Sequence, residues 1–248
     1  SARASFAQGF RAPSLKELSL FFVDVNHNIK GNNDLKAERS NNFLFSLTYL
    51  KEYKKIYWKA DASLFYNKIT DMISLAVNDL ASQLYTYVNI DQYETHGLNM
   101  NTDVQYRNIR VNAGYGLTGR YNQLSKTTPT EDFLYSNEYK GNITYSFPKA
   151  KTDISLFYKY TGEVPSYIEN NGAVYQGFTQ AYQMLDASVT KQFLKNRFAL
   201  TVGAKNLTDI KTINFSGTAS AHTAGSGSAL MAMGRYYFTS IRINIAKN

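Results

Sequence analysis

Ile56-Tyr57-Trp58-Lys59-Ala60-Asp61-Ala62-Ser63-Leu64-Phe65-Tyr66-Asn67 decides how this chain folds. Trp58, Ala60, Ala62, Leu64 and Tyr66 fall on one parity, and Lys59, Asp61, Ser63 and Asn67 on the other. A period of two belongs to a β-strand and not to a helix. The pattern predicts a strand over 56–70, longer than the five or six residues usual in a globular sheet. Its polar face carries charges, which a soluble core admits only when they are paired.

Outward from this stretch the same period recurs. Phe43, Phe45, Leu47 and Tyr49 share a face over 41–51, and Leu98, Met100, Val104 and Tyr106 share one over 92–107. Over 110–122, Val111, Ala113, Tyr115, Leu117 and Tyr121 oppose Asn112, Gly114, Gly116, Thr118 and Arg120. Further strands are predicted over 1–7, 135–147, 152–162, 180–193, 197–207 and 234–246, about ten in all. Between them, short turns rich in lysine and arginine (52–55, 107–109, 148–151, 194–196) alternate with long polar loops (10–38, 71–90 with a short strand near 84–90, 123–133, 164–178, 209–233). That alternation of short and long connections is the habit of outer-membrane barrels, with short periplasmic turns and long extracellular loops. The apolar faces, rich in Tyr and Ala, then turn toward lipid: Trp58, Leu64, Val111, Leu156, Ile241 and Ile243 are expected outside. Asp61, Asn112, Lys140, Asp153 and Arg242 are expected toward a wet lumen. Tyr49, Tyr106, Tyr121, Tyr135 and Tyr145, near strand ends, are expected to form interface girdles. The competing reading is a soluble or secreted two-sheet sandwich.

Composition narrows the classes. The 248 residues include 20 tyrosines, 4 prolines and no cysteine, which removes disulfide scaffolds and Cys-based zinc sites. No run of 18 apolar residues is present, so no transmembrane helix is expected. Ser1 opens directly into an alternating strand. The expectation is that a signal segment was removed or that the sequence is a piece of a longer chain. The formal charge of +8 raises nucleic acid as a partner. The cations gather at turns or stand singly in strands, with no basic helix, so no nucleic-acid partner is expected.

The first long interruption, 10–38, has a box at each end. It opens Phe10-Arg11-Ala12-Pro13-Ser14-Leu15-Lys16-Glu17-Leu18 and closes Gly31-Asn32-Asn33-Asp34-Leu35-Lys36-Ala37-Glu38, with His27 between. Pro13 cannot continue a ladder and holds Ala12 extended, so a strand must stop there. Gly31-Asn32-Asn33-Asp34 is a cluster of turn formers. A connection of about 30 residues is functional or disordered.

These boxes resemble the paired FRAP and N-P-D-L-K-P-E boxes of TonB-dependent outer-membrane receptors. Phe10, Arg11, Ala12 and Pro13 carry the first, and Asn32, Asn33, Asp34 and Leu35 the second. Asn33 and Ala37 stand where that pattern usually has prolines. Asn89 to Gly97 is similar to the asparagine-to-glycine opening of a barrel strand in that family. Lys205-Asn206-Leu207-Thr208-Asp209 is similar to its K-N-L-F-D box, and Gly234-Arg235-Tyr236-Tyr237-Phe238 to the start of its final strand. The resemblance implies an all-β, antiparallel transmembrane barrel of 22 strands. Residues 1–248 would be its carboxy-terminal portion, with the plug and early strands outside this sequence. It also implies an outer-membrane location, surrounding outer-membrane lipid, energy drawn from the TonB complex through the plug, and active transport.

No enzyme is expected. His27, His96 and His222 lie in separate segments, and Ser220 beside His222 is an ordinary pairing of loop residues. His96 continues the face of Leu98 and reads as a rim residue. The resemblance implies a scarce, iron-containing ligand. The haem branch is marked by a histidine between the two boxes, where His27 stands, and neutral imidazole ligates haem iron. Haem is therefore the first expectation, as a transported ligand and not a permanent cofactor. His27 would be the axial ligand, Phe21 and Phe22 would pack on the ring, and Arg11 and His222 would be further contacts. Ferric siderophore comes next, then cobalamin, with a passive porin outside the family. A surface haem- or siderophore-delivery lipoprotein is a candidate partner.

Overall fold

Short turns in left-handed conformations set the register of the whole wall. Lys54 (φ 54) follows Tyr53, which pairs with Ile56; Arg107 (φ 52) follows Tyr106, which pairs with Ile109. Positive φ at the first turn residue matches the twist of the flanking strands. The cations lie over the preceding rings, Lys54 Nζ 5.0 Å from the Tyr53 centroid and the Arg107 guanidinium 5.1 Å from that of Tyr106.

The computed structural model describes residues 1–23, 28–79, 84–123, 133–170, 173–194, 196–216 and 227–244. In chain order its elements are β1 (Ala2–Arg11), a helix α1 (Leu15–Ser19), β2 (Phe21–Val23), β3 (Asn28–Lys30), β4 (Glu38–Tyr53), β5 (Ile56–Asp79), β6 (Leu84–Tyr106) and β7 (Ile109–Gln123). There follow β8 (Leu134–Phe147), β9 (Thr152–Thr161), β10 (Val164–Asn170), β11 (Ala173–Thr179), β12 (Tyr182–Phe193), β13 (Phe198–Lys205), β14 (Thr212–Ser216), β15 (Gly227–Leu230) and β16 (Tyr236–Ile243). The wall is one antiparallel sheet in the order β1-β4-β5-β6-β7-β8-β9-β12-β13-β16, ten strands as the period of two predicts. Among the described residues, β1 and β16 each pair on one side only. Among the described residues, no helix is long and apolar enough to cross a membrane.

Register divides the wall into two chemically distinct faces. One row on the apolar face runs Phe6–Phe43–Tyr66–His96–Gly119–Tyr135 across six strands. Another runs Tyr53–Ile56–Tyr106–Ile109–Tyr145 at the turn end. From Tyr106 to His96 is about 33 Å of strand. At a tilt of ~45° that is ~23 Å across, the height of the apolar band of an outer-membrane barrel. Between these rows the apolar side chains are open, Leu64 at 54% and Met100 at 47%. The opposite face holds ion pairs: Lys59 with Asp61 at 3.0 Å, Arg110 with Asp103 at 2.8 Å and Lys159 with Glu138 at 2.8 Å. The residues expected outside and those expected toward the lumen fall on opposite parities.

Glycines sit directly opposite aromatic residues in several cross-strand pairs, among them Phe65 with Gly97, Tyr135 with Gly119 and Phe238 with Gly203. A Cβ on Gly97 would stand 2.6 Å from Phe65 Cζ, and one on Gly203 2.5 Å from Phe238 Cε1. The rings fold over the bare backbone and shield it.

The long connections differ from the expected loops. Residues 71–79 are not a polar excursion but the outer part of β5, and the short strand expected near 84–90 is the start of β6; the two strands are 24 and 23 residues long. Pairing lapses at Asp71 (φ 55) and resumes at Met72 opposite Ile90 in the same register. Each strand supplies the other's ladder partner, so pairing and not a local period makes the strand. Ile73, Tyr85 and Ile90 are buried there, most of the buried apolar residues among those described. Residues 10–38 likewise hold structure: β1 extends through Phe10 and Arg11, and α1 and a β2–β3 hairpin follow, with β3 parallel to β6 at Ile29–Tyr85. Parts of the two late connections join into a second sheet, β10-β11-β14-β15, which is also absent from the expected pattern.

Candidate functional site

Where the chain leaves the membrane, the two boxes fasten to each other. Pro13 ends β1, and Ser14 then caps α1. Its Oγ accepts from Glu17 N at 3.3 Å while its own N–H donates to Glu17 Oε2 at 2.7 Å, a capping box. This places the Glu17 carboxylate beside the end of β1. Arg11 Nη1 donates to Glu17 Oε1 at 2.9 Å, and Arg11 Nε and Nη2 donate to the two oxygens of Glu38, each at 2.7 Å. Glu38 Oε1 also accepts from Ile73 N at 2.7 Å, which ties the clamp to the extended part of β5. The hydrogen bonds from Arg11 hold the Glu38 carboxyl below its ordinary range. For Glu17 the Ser14 backbone N–H is the first cause of a like shift, and Arg11 in turn is pushed upward, first by Glu38.

The second box lies on the same scaffold. Gly31 passes so close to α1 that a Cβ would stand 2.5 Å from Leu18 O, so only glycine fits. Asn32 N donates to Glu17 O at 2.9 Å and Asn32 Nδ2 to Tyr87 O at 2.9 Å. Asp34 N donates to Asn32 Oδ1 at 2.9 Å, an Asx turn, and Leu35 is half-buried. Asn89 binds both sides: it accepts from Lys36 N at 2.8 Å and donates to Lys36 O at 3.0 Å and Asp71 O at 2.7 Å.

Above this scaffold, Phe21 is 73% exposed with Lys30 Nζ 5.7 Å from its centroid, and Phe22 is 43% exposed. His27 and His222 lie outside the described residues. The expected contacts Arg11, Phe21 and Phe22 share one cap, with the Arg11 fork committed to two carboxylates. His96 is elsewhere, on the apolar face, 2.9 Å from Tyr135 Oη and 4.3 Å between centroids from Phe133.

The late box is a strand-exit turn. Asn206, 4% exposed with φ 53, accepts from Ile210 N at 3.0 Å and donates to Ile210 O at 2.7 Å. Leu207 N donates to Leu185 O at 2.7 Å. Asp209 Oδ1 accepts from Arg235 N at 2.8 Å, and Arg235 Nη2 donates to Leu207 O at 2.8 Å, so the box aligns β13 with β16. Glu17, Glu38 and Asn89 are the partners the sequence reading did not assign. Glu38 and Asn89 stood at the ends of quoted motifs without a partner, and Ser14-Leu15-Lys16-Glu17 has the spacing of a capping box.

The family comparison agrees with the barrel wall. The family model for the TonB-dependent receptor-like β-barrel matches residues 1–207. This chain belongs to the TonB-dependent receptor family. It is therefore an outer-membrane protein, and the family is one of receptors and transporters that work with TonB. Among solved structures it is similar to the pyoverdine outer-membrane receptor FpvA of Pseudomonas aeruginosa PAO1 bound to pyoverdine, at TM-score 0.62 and 14% identity over 98% of this chain and 34% of that one. It is similar to the FrpB iron transporter of Neisseria meningitidis, at 0.66 and 12% over 97% and 36%, and to the copper transporter OprC, at 0.66 and 16% over 96% and 36%. This chain thus spans about a third of the length of the structures it matches. Comparison with curated proteins found no match.

Proposed function

We propose that this chain forms the carboxy-terminal ten strands of a 22-stranded, TonB-energised receptor that imports an iron-containing ligand. The observation that carries this reading is the wall with one-sided pairing at β1 and β16, capped at the loop end by the clamped boxes. Open edges are costly beside lipid, and further strands would close them. Energy would enter through a plug in the lumen, against the polar face.

Within that class the finer reading is haem. His27 lies between the boxes in sequence, and the hairpin strands beside it present Phe21 and Phe22 outward. A porphyrin needs such a combination of a nitrogen ligand and apolar rings. A ferric siderophore is the second reading, favoured by the names of the similar structures, which include the pyoverdine receptor and the ferric enterobactin receptor PfeA of P. aeruginosa. A surface delivery lipoprotein fits either. The test is titration of the full-length receptor with haem and with ferric siderophores, with and without His27→Ala. Haem binding with a Soret shift lost in His27→Ala supports the first reading. Siderophore binding without haem binding supports the second, and import that persists without TonB overturns the energised mechanism.

A further inference from the structure

We infer that the lipid face carries a binding groove for one acyl chain of a phospholipid from the periplasmic leaflet. The groove follows from register. Ala60, Thr102, Ala113 and Gly141 are consecutive cross-strand neighbours on β5 to β8, so four small residues lie side by side on the apolar face. Tyr49 adjoins Ala60 at one end of the row and Tyr158 adjoins Gly141 at the other. The flanking rows are bulkier except at Ala62. Trp58, Val104, Val111 and Ile143 stand on the turn side, and Ala62, Met100, Tyr115 and Tyr139 on the loop side. The trough belongs to a cavity of about 910 Å³ that extends past Ala62 to Leu47 and Ser1 and also touches Asp61, Asn101 and Lys140 of the opposite parity.

Three properties select the occupant. First, the groove lies within the apolar band, nearer the turn-end girdle: Thr102 is two rows from Tyr106 and three from His96. Its surroundings are hydrocarbon, and they are those of the leaflet at the periplasmic turns. Second, the exposed lining is overwhelmingly apolar, and two of its polar groups bond within the wall. Trp58 Nε1 donates to Thr102 Oγ1 at 3.0 Å, and Tyr158 Oη donates to Gln183 Oε1 at 2.9 Å. A polar partner would find little to bind. Third, it is small. Four strands set side by side span ~14 Å between the outer axes, and the flanking rows stand ~13 Å apart along the strands. That footprint of roughly 200 Å² is far below the ~800 Å² per partner of a stable protein interface. One hydrocarbon chain fits where a second protein does not. At a strand tilt of ~45° the groove runs obliquely, so a chain lying in it leads toward the membrane surface.

The inference rests on the wall standing in the outer membrane and is independent of the transported ligand. To test it, the full-length receptor is purified in detergent, washed, and its retained lipid counted by native mass spectrometry. One phospholipid per chain is expected in the wild type. At least a tenfold loss of that species is expected in Gly141→Phe and in Ala60→Leu, which fill the groove from different strands. Leu156→Phe, outside the groove, should retain it. In parallel, a phosphatidylethanolamine with brominated chains is titrated into detergent-solubilised receptor, and the difference between wild type and Trp58→Phe fluorescence is read. Saturable quenching of Trp58 supports the site. Quenching that rises linearly with lipid overturns it, as does equal retention in wild type and filled variants. Retention of lipopolysaccharide instead of phospholipid, or a change of oligomeric state in the filled variants, overturns the occupant assigned here.

Discussion

Arg11 and Glu38, 27 residues apart, meet fork to fork through two hydrogen bonds of 2.7 Å each. One closes the first box and the other closes the second, so the intervening chain is a loop pinned at both ends. Because the same guanidinium also holds Glu17, and Glu38 also holds Ile73 N, the pair joins four segments: the end of β1, α1, the start of β4 and the extended β5.

Arg11→Met should release this cap without disturbing the membrane-spanning wall. The side chain is half-exposed, so solvent screens part of the interaction, and a loss of about 1–2 kcal/mol in local opening free energy is expected. Hydrogen exchange of the full-length receptor should show faster exchange over 12–37 and unchanged protection of β7 and β8. Unchanged exchange over 12–37 would show that the clamp is ornamental.

Acid should loosen the same cap. Glu38 and Glu17 both titrate below the ordinary carboxylate range when folded, the first because of Arg11 and the second because of the Ser14 backbone. A depressed carboxyl contributes stability that is fully present above its unfolded pKa, about 4.3 for Glu, and lost as pH falls through the folded value. Proteolytic nicking within 12–37 should therefore be constant from neutral pH down to ~5 and rise below ~4. In Glu38→Gln the rise should be smaller, because one of the two titrating groups is gone.

Asn206 should show a graded response. Ala at this position leaves Ile210 N and O without partners and places an alanine at φ 53, so a cost of about 2–4 kcal/mol is expected. Asn206→Asp keeps the acceptor and tolerates the left-handed backbone, and should cost about half as much. Denaturant unfolding of the reconstituted full-length receptor measures both, and equal losses would argue against the hydrogen-bond account.

The ten-stranded wall was legible because a membrane barrel writes its two faces into every strand: Trp58, Ala60 and Ala62 against Lys59, Asp61 and Ser63 are readable without any partner. The cap was not legible in the same way. Leu84 to Ile90 was readable as a short strand, but Met72 to Asp79, apolar on both parities, shows no alternation of its own and becomes a strand because Leu84 to Ile90 supplies its ladder. The sheet of β10, β11, β14 and β15 depends on Phe178 meeting Ser216, a contact between distant loops that no local period announces. Of the site, Arg11, Asn32 and Glu38 were visible as box residues, but that Arg11 meets Glu38 and Asn32 meets Tyr87 was fixed only by the fold.

Glycines on the wall should separate into intolerant and tolerant positions. A Cβ on Gly97 collides with the backbone carbonyl of Leu117 and stands 2.6 Å from Phe65 Cζ. Backbone cannot yield, so Gly97→Ala should sharply reduce the folded yield. At Gly116 the nearest atom is Asn99 Oδ1 at 3.2 Å, the tip of a side chain that can shift. Gly116→Ala should assemble as wild type, and the folded fraction in outer-membrane preparations decides between them.

The assignment of faces makes a sharper demand, because adjacent residues must respond oppositely to the same charge. Met100 is 47% exposed on the apolar face, midway between the Tyr106 and His96 rows, whereas Asn99 points to the other side and lines a polar cavity of about 300 Å³ with Glu138 and Lys140. An arginine at Met100 would be held near the middle of the hydrocarbon, where such a substitution costs about 2–4 kcal/mol. An arginine at Asn99 enters the wet lumen beside Glu138, and should change stability by no more than about 1 kcal/mol. Both variants of the full-length receptor are folded into phospholipid vesicles and their stabilities compared by denaturant titration. A penalty at Asn99 that exceeds the one at Met100 would invert the wall, placing the ion pairs of Lys59, Arg110 and Lys159 toward lipid, where nothing in the bilayer could solvate them.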